Sequence, residues 1–123
     1  PDNIIGIQRT NNLEELTKFY SIADIFINPS KEESFSLVTL EALACGTPVI
    51  CFNSTANPEL VDDGCGYIIE KGNIDELVNS INKVCLEGKR AYSDACVTFA
   101  KSNFDKDTLI KEYLKLYTAI SSR

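Results

Sequence analysis

The sequence predicts an α/β fold in which a doubly wound parallel sheet carries helices on both faces. Short apolar, β-branched runs alternate along the chain with stretches of about ten or more residues at helical spacing, the pattern of strands joined by crossover helices. The 123 residues are 44% apolar and 24% charged, which suits one domain with a buried core. We therefore expect a single domain, 1–123, with about four short strands.

The first third of the chain predicts a strand, a helix and a second strand. Residues 4–7 and 25–27 are short apolar runs, and both are expected to be buried strands. Between them, Asn12 can cap a helix that runs to about residue 21, because its side chain can accept from the first free backbone N–H groups.

The rest of the chain continues the alternation and then ends in helices. A second helix is expected over 36–45, where Gly46 supplies the usual end, and a strand follows at Val49–Phe52. Residues 67–69 form the last short strand after a loop and two turns. Three closing helices are expected at 74–87, 90–103 and 106–120.

Charge and hydropathy exclude several classes of partner. The formal net charge is −6 and the isoelectric point is near 4.6, so broad attraction to nucleic acid or anionic lipid is not expected. The apolar runs are much shorter than the roughly 20 residues of a membrane span, and the first residues do not resemble a signal peptide. We expect a soluble, cytoplasmic protein.

The chain has five cysteines and no histidine. The cysteines include no C-x-x-C pair, so small buried thiols in a reducing compartment are expected rather than disulfides or a zinc site. Without histidine, Ser-His, Cys-His and His-metal chemistry are excluded within this chain.

The stretch PSKEESFSLVTLEALACGTPV, residues 29–49, holds the candidate site, because its loop lies where a strand gives way to a helix. A helix that begins near Ser36 leaves backbone N–H groups unpaired and presents the positive end of its dipole, so a phosphate could dock there. Glu33 precedes this helix, and Glu41 lies about one and a half turns inside it. A carboxylate accepts from two neighbouring hydroxyls, such as those of a ribose or a hexose.

Both glutamates also allow plainer interpretations. Glu33 follows Ser30 by three residues, the spacing of a capping box, which would make it a structural residue. Glu41 could be a surface charge. Its helix, LVTLEALA, is apolar on most sides, however, and a glutamate in a largely buried helix is costly without partners.

This stretch resembles the signature of a known family. PSKEESFSL followed by EALACGTPV resembles the PSxxEGFGL…EAxAxGxPV signature of retaining glycosyltransferases of the GT-B fold, family 4 (glycosyltransferase group 1), in which Glu33 and Glu41 match the E-x7-E motif. The flanking segments, IIGIQRTNNLEELTKFYSIADIFINPS and NPELVDDGCGYIIEKGNIDELVNSINKV, also resemble this family. The resemblance implies a Rossmann-like sheet, the C-terminal half of a GT-B fold, that binds a nucleotide-sugar.

The resemblance also implies roles for individual residues. Glu33 would be the catalytic residue that contacts the hydroxyls of the donor sugar, and Glu41 would bind the ribose. The remaining donor-binding residues would be Phe35, the backbone N–H groups of Ser36, Leu37 and Val38 at the diphosphate, and Gln8 and Arg9 near the base. The reaction would move a hexose with retention from an NDP-sugar to a growing glycan or a lipid-linked sugar, without a metal or another cofactor.

The sequence departs from the family's pattern in two places. Ser34 and Ser36 stand where the family usually has glycine, and a Cβ there narrows the approach of a phosphate, although serine hydroxyls could donate to it instead. The loop 53–57 lacks the family's usual glycine pair, which leaves its role open.

The family's N-terminal acceptor domain, and the strands whose Arg and Lys neutralise the diphosphate, have no counterpart in these residues. The resemblance therefore implies a partial domain that is inactive alone, with the donor and the absent domain as its partners, from a parent enzyme that is cytoplasmic or peripheral at the inner membrane face. Without those strands, residues 4–7 would lose their neighbours, so we expect either a rearranged first strand or a homo-oligomer.

Two alternatives remain open. A phospho-receiver signalling module would have a similar length and alternation, but it needs an acidic pair after the first strand and an aspartate after the third. Here those positions hold Gln8-Arg9 and Asn53. A sugar-nucleotide epimerase or a phosphorylase of the same fold cannot be distinguished without the acceptor side.

Overall fold

The structure is a computed structural model that describes residues 2–121, and within that range it contains three strands and six helices. In chain order these are α1 Leu13–Ile22, β1 Phe26–Asn28, α2 Leu37–Ala44, β2 Val49–Phe52, α3 Asn57–Leu60, β3 Gly66–Ile69, α4 Ile74–Glu87, α5 Arg90–Phe104 and α6 Lys106–Ser121. Most predicted elements are confirmed within one or two residues at each end.

The strands form one parallel sheet in the order β1-β2-β3. Phe26 pairs with Val49, and Val49 pairs with Gly66, so β2 is the central strand. All residues of β2 are buried, as expected for a strand that is covered on both faces.

Helices pack on both faces of this sheet. Val49 and Cys51 belong to a core cluster that includes residues of α2 and α5. Ile50 and Phe52 belong to a second cluster, with Ile69 and two half-buried residues of α4. Successive side chains of a strand point to opposite faces, so one short strand contributes to both cores. The predicted α/β class with helices on both faces is confirmed.

Two predicted helix boundaries have the expected chemistry. Asn12 caps α1, since its side-chain oxygen accepts from the backbone N–H groups of Glu14 at 3.0 Å and Glu15 at 3.3 Å. Gly46 ends α2 with a φ of +72°, and a Cβ at this position would lie 3.3 Å from Cβ of Ser93 on α5. Glycine therefore serves both the left-handed turn and the close packing of α5.

A lysine that is distant in sequence holds the C-terminal end of α1. Nζ of Lys89 donates to the backbone carbonyls of Ser21 at 2.6 Å, Ala23 at 2.9 Å and Tyr20 at 3.4 Å. A cation at this end complements the negative end of the helix dipole and pairs carbonyls that the helix leaves free. This contact fixes α1 beside the start of α5.

The prediction of a buried strand at residues 4–7 is wrong. This segment has no regular secondary structure, and Ile4, Ile5 and Ile7 are 72%, 85% and 58% exposed. Residues 4–7 pair with none of the described strands, although β1 and β3 each leave one edge of the sheet unpaired, and an extended segment without a partner is not stable as a strand. The described sheet therefore has three strands instead of about four, and residues 4–7 are not part of it.

The last helix lies at the surface. α6 has no buried residue, and its apolar residues Tyr113, Leu116, Tyr117 and Ile120 are all exposed. In the described part of the chain, no helix combines the length and the apolar character that a membrane span requires.

All five cysteines are free thiols, and three of them, Cys51, Cys65 and Cys96, are buried. Burial raises the pKa of Cys51 to about 11 and that of Cys96 to about 12, which makes these thiols poor nucleophiles. Cys85 is exposed and Cys45 is half-buried, so the expectation of buried thiols holds for only three of the five.

Candidate functional site

The candidate site lies at the carboxyl ends of β1 and β2. The loop 29–36 follows β1 and leads into α2, and the loop 53–56 follows β2 and leads into α3. Because parallel strands end at the same edge of the sheet, these two loops are neighbours.

The N-terminus of α2 is open. Ser36 is the N-cap, but its side chain makes no capping hydrogen bond, and the first intrahelical bond runs from the N–H of Leu40 to the carbonyl of Ser36 at 3.3 Å. The backbone N–H groups of Leu37, Val38 and Thr39 therefore have no partner among the described residues. Leu37 is 63% exposed and Val38 is 44% exposed. This end of the helix can accept an anion.

The hydroxyl of Ser36 points into the protein. Nδ2 of Asn28 donates to Oγ of Ser36 at 3.0 Å and to Oγ1 of Thr39 at 3.2 Å, and Oγ1 of Thr39 donates to Oγ of Ser36 at 2.9 Å. All three residues are buried. This closed network ties β1 to the first turn of α2 and explains how a serine fits here. Of the two serines at glycine positions, only Ser34 is exposed to a ligand.

Glu41 faces α1. The hydroxyl of Tyr20 donates to Oε2 of Glu41 at 3.0 Å, and the ring of Tyr20 packs edge-on against Phe26 with centroids 5.6 Å apart. Burial, followed by the hydrogen bond and charge of Glu41, raises the pKa of Tyr20 to about 12. The side chain of Glu41 is exposed, yet one of its oxygens is held in place and the other stays available. It is therefore more than an unpaired surface charge.

Two cavities adjoin Glu41. The smaller one, of about 180 Å³, lies between α1 and α2 and is lined by Leu13, Leu16, Thr17, Tyr20, Glu41, Ala44 and Cys45. The larger one, of about 370 Å³, lies between α2 and the junction of α5 with α6, and its lining includes Lys101 and Lys106. Of these two cavities, the larger one is also lined by Leu37, so it is the one that connects the start of α2 with Glu41.

Glu33 is held through its backbone. Its N–H donates to Oγ1 of Thr55 at 2.8 Å, the same hydroxyl donates to its carbonyl at 2.5 Å, and the N–H of Ala56 lies 3.3 Å from that carbonyl. Its carboxylate has no partner among the described residues. The capping-box interpretation is wrong, because no helix begins at Ser30, whose N–H instead donates to Oδ1 of Asn28 at 3.2 Å.

A third cavity opens beside Glu33. Its volume is about 670 Å³, and it is lined by Glu32, Glu33, Ser34, Thr55, Ala56 and Glu59. The free carboxylate of Glu33 at this cavity can accept hydrogen bonds from the hydroxyls of a ligand.

The other predicted donor-binding residues have different surroundings. Phe35 is 47% exposed, and its ring centroid lies 6.1 Å from that of Phe104 at the end of α5. Gln8 and Arg9 lie in the irregular segment before α1, are exposed, and make no side-chain hydrogen bond or ion pair within residues 2–121. Glu33 thus lies in the loop before α2 and Glu41 lies on α2, at separate cavities, and no contact brings Gln8 or Arg9 to either of them.

Sequence reasoning missed two residues of this site. The sequence pattern singles out neither Tyr20 nor Thr55, although Thr55 lies in the loop 53–57, which departs from the family's pattern. Thr55 has a φ of +40°, which makes it the one non-glycine residue with positive φ in the part of the chain that the structure describes. The sequence feature that points to Thr55 is the absence of the family's usual glycine pair from its loop.

The chain is similar to several known proteins. The family model described as "Glycosyl transferases group 1" matches residues 1–102. The chain is 30% identical over 117 residues to an uncharacterized 41.2 kDa protein in the cps region of Klebsiella pneumoniae, covering 94% of this chain and 32% of that protein. It is 41% identical over 64 residues to an O-antigen chain mannosyltransferase B of Escherichia coli, covering 52% and 16%.

Two solved structures have a fold similar to that of this chain. Sucrose-phosphate synthase from Thermosynechococcus elongatus matches with a TM-score of 0.78 at 25% identity, over 89% of this chain and 28% of that one. Anabaena HepE, solved in complex with UDP, matches with a TM-score of 0.73 at 27% identity, over 83% and 29%. The chain spans about a third or less of the length of each of these proteins.

Proposed function

The chain belongs to the family of group 1 glycosyl transferases, and from that premise we propose that it is the donor-binding part of a retaining GT-B enzyme of family 4. The observation that carries the proposal is the open N-terminus of α2, with the carboxylate of Glu33 in the loop before it and that of Glu41 on the helix itself. An NDP-sugar has a diphosphate between two hydroxyl-bearing rings, which would suit a free helix N-terminus that can bind an anion and two carboxylates that can accept from hydroxyls.

Each part of the donor then has a partner. The diphosphate binds the backbone N–H groups at Ser36, Leu37 and Val38, and the ribose hydroxyls donate to Glu41. The sugar hydroxyls donate to Glu33, which acts as the catalytic residue. In the same proposal Phe35 borders the diphosphate, and Gln8 and Arg9 approach the base after a movement of their exposed segment.

The transferred group is a hexose, and the acceptor is a growing glycan or a lipid-linked sugar. The mannosyltransferase of Escherichia coli and the cps-region protein of Klebsiella pneumoniae support sugar transfer in polysaccharide synthesis, and the UDP complex of HepE supports a nucleotide-linked donor. These names also favour transfer over the epimerase and phospho-receiver alternatives.

The proposal covers only the donor side of the reaction, because the chain spans a third or less of its relatives. Acceptor binding is assigned to a separate domain, so the 123-residue chain alone is expected to transfer no sugar. We propose that the donor binds without a metal or other cofactor and that the enzyme is cytoplasmic or peripheral at the inner membrane face. Pairing between copies of the exposed segment 4–7 is a further proposal, which light scattering tests.

A titration tests donor binding. The isotope-labelled chain is titrated with UDP, GDP and ADP while its backbone amide signals are followed by NMR, and acetyl phosphate serves as a control for a lone phosphoryl group. The proposal predicts that one nucleoside diphosphate shifts the amides of Leu37, Val38 and Glu41. It is overturned if millimolar concentrations of all three nucleotides leave these amides unmoved.

A further inference from the structure

Thr55 has an unfavourable backbone conformation without an evident structural reason. Its φ of +40° lies in the left-handed region, where a β-branched side chain is strained. The residue is exposed, so it does not fill the core. Strain of this kind persists only where the surrounding structure fixes it, and it is common near functional sites.

The side chain of Thr55 makes two hydrogen bonds, and both go to one residue. Its hydroxyl accepts from the N–H of Glu33 at 2.8 Å and donates to the carbonyl of Glu33 at 2.5 Å. An exposed hydroxyl can satisfy both needs with water, so burial does not require these contacts. They fix the two peptide groups on either side of the Glu33 Cα, and therefore the direction in which its side chain leaves the loop.

The neighbouring residue provides a comparison. Oγ of Ser54 donates to the carbonyl of Ser30 at 3.0 Å and is 8% exposed, so its contact satisfies a buried hydroxyl. Ser54 thus already fastens the two loops to each other. Thr55 adds a second attachment specifically at Glu33, beside the cavity that the free Glu33 carboxylate borders.

We propose that Thr55 is a positioning residue for the Glu33 carboxylate, which it directs toward the sugar of the donor. This inference rests on the proposed function, because it assumes that Glu33 binds the donor sugar. Thr55 itself need not touch the donor. Replacing Thr55 should therefore reduce the affinity that the sugar adds and should leave the affinity for the diphosphate unchanged.

The test compares three variants of the 123-residue chain. Thr55→Val removes the hydroxyl and keeps the branched shape, Thr55→Gly removes the hydroxyl and relieves the strain at positive φ, and Thr55→Ser keeps the hydroxyl. The Kd is measured for UDP against UDP-glucose and for GDP against GDP-mannose. The sugar's contribution is the Kd of the nucleoside diphosphate divided by the Kd of the matching nucleotide-sugar. We expect Thr55→Val and Thr55→Gly to reduce this ratio by about tenfold and to leave the Kd of the nucleoside diphosphate unchanged. Thr55→Ser should keep the wild-type ratio.

The outcomes separate the two proposals. If both hydroxyl-free variants keep the wild-type ratio, or if the wild-type chain gains nothing from the sugar, Thr55 does not position Glu33 for a sugar, although nucleotide binding stands. If the wild-type chain binds no nucleotide, the proposed function fails and the sugar role of Thr55 fails with it. Hydrogen exchange of the Glu33 amide, measured without ligand, provides a second readout. Exchange should be faster in Thr55→Gly than in Thr55→Ser, and equal rates would contradict the attachment itself.

Discussion

The hydroxyl of Tyr20 on α1 lies 3.0 Å from Oε2 of Glu41 on α2, and the two residues are separated by 21 positions in the sequence. The bond selects one rotamer of an otherwise exposed glutamate. The second carboxylate oxygen of Glu41 has no hydrogen-bond partner among the described residues. If Glu41 binds a ribose, Tyr20 contributes to that binding without touching the nucleotide.

Replacing Tyr20 with phenylalanine tests this relationship. Tyr20→Phe keeps the ring that packs against Phe26 and removes the hydroxyl. Loss of one hydrogen bond to a charged group should weaken the binding of a nucleoside diphosphate by about tenfold. Binding of inorganic pyrophosphate, which has no ribose, should not change.

The matched control is Tyr113→Phe, because Tyr113 is 64% exposed on α6. Glu41→Ala should weaken nucleotide binding at least as much as Tyr20→Phe does. Equal affinities of Tyr20→Phe and the wild type, measured by calorimetry, would show that the hydrogen bond does not orient Glu41 for a ligand.

The same hydroxyl makes stability depend on pH in the alkaline range. Tyr20 has a pKa of about 12 in the folded chain against 10.0 for an unperturbed tyrosine, chiefly because of burial and then because of Glu41. The folded state therefore holds the proton more tightly than the unfolded state does. The contribution of Tyr20 to the free energy of unfolding is therefore fully present below pH 10 and is lost as the pH rises toward 12.

Urea unfolding at several alkaline pH values measures the effect. The free energy of unfolding of the wild type should fall more steeply than that of Tyr20→Phe. Parallel pH profiles would contradict the assignment of this loss to Tyr20.

The buried network at Ser36 predicts a loss of stability. Ser36→Ala leaves Nδ2 of Asn28 and the hydroxyl of Thr39 without their shared acceptor, and both residues are buried. An unpaired buried polar group costs about 1–3 kcal/mol, so the free energy of unfolding should fall by about that amount. Ser34→Ala, at an exposed position, should change it by less than about 0.5 kcal/mol. Equal effects of the two substitutions in chemical denaturation would contradict the network.

Lys89 offers a second stability test, away from the ligand site. Lys89→Met removes a cation from three carbonyls at the end of α1 and should cost about 1–2 kcal/mol. The control is Lys18→Met, because Lys18 forms an exposed ion pair with Glu14 within one helix, and such pairs contribute about 0.5 kcal/mol or less. A loss at Lys89 no larger than the loss at Lys18 would show that Lys89 does not hold α1 in place.

The elements whose bounds the sequence predicts correctly are marked by their own residues or by residues directly next to them. β2 and α4 have the predicted bounds, since β2 is an unbroken apolar run and α4 is capped by Asn73 and followed by Gly88 at positive φ. The apolar run at residues 4–7 has the sequence pattern of a strand. A strand also needs a neighbouring strand to pair with, and the sequence pattern of the run gives no information about that partner.

The motif singles out Glu33 and Glu41 as candidate site residues, whereas the sequence does not single out the residues that hold them. Thr55 lies 22 positions from Glu33, and Tyr20 lies 21 positions from Glu41. Glu33 and Thr55 meet because their loops follow neighbouring parallel strands, and Tyr20 and Glu41 meet because α1 packs against α2. Hydrogen bonds of this kind depend on the tertiary fold, and a single sequence gives no periodicity from which to infer them.

A crystal structure of this chain with a bound nucleotide-sugar tests the central claim most directly. The account predicts that the diphosphate accepts hydrogen bonds from the backbone N–H groups of Leu37 and Val38, with the ribose on Glu41 and the sugar on Glu33. A nucleotide-sugar bound elsewhere, with the N-terminus of α2 left to solvent, would contradict it.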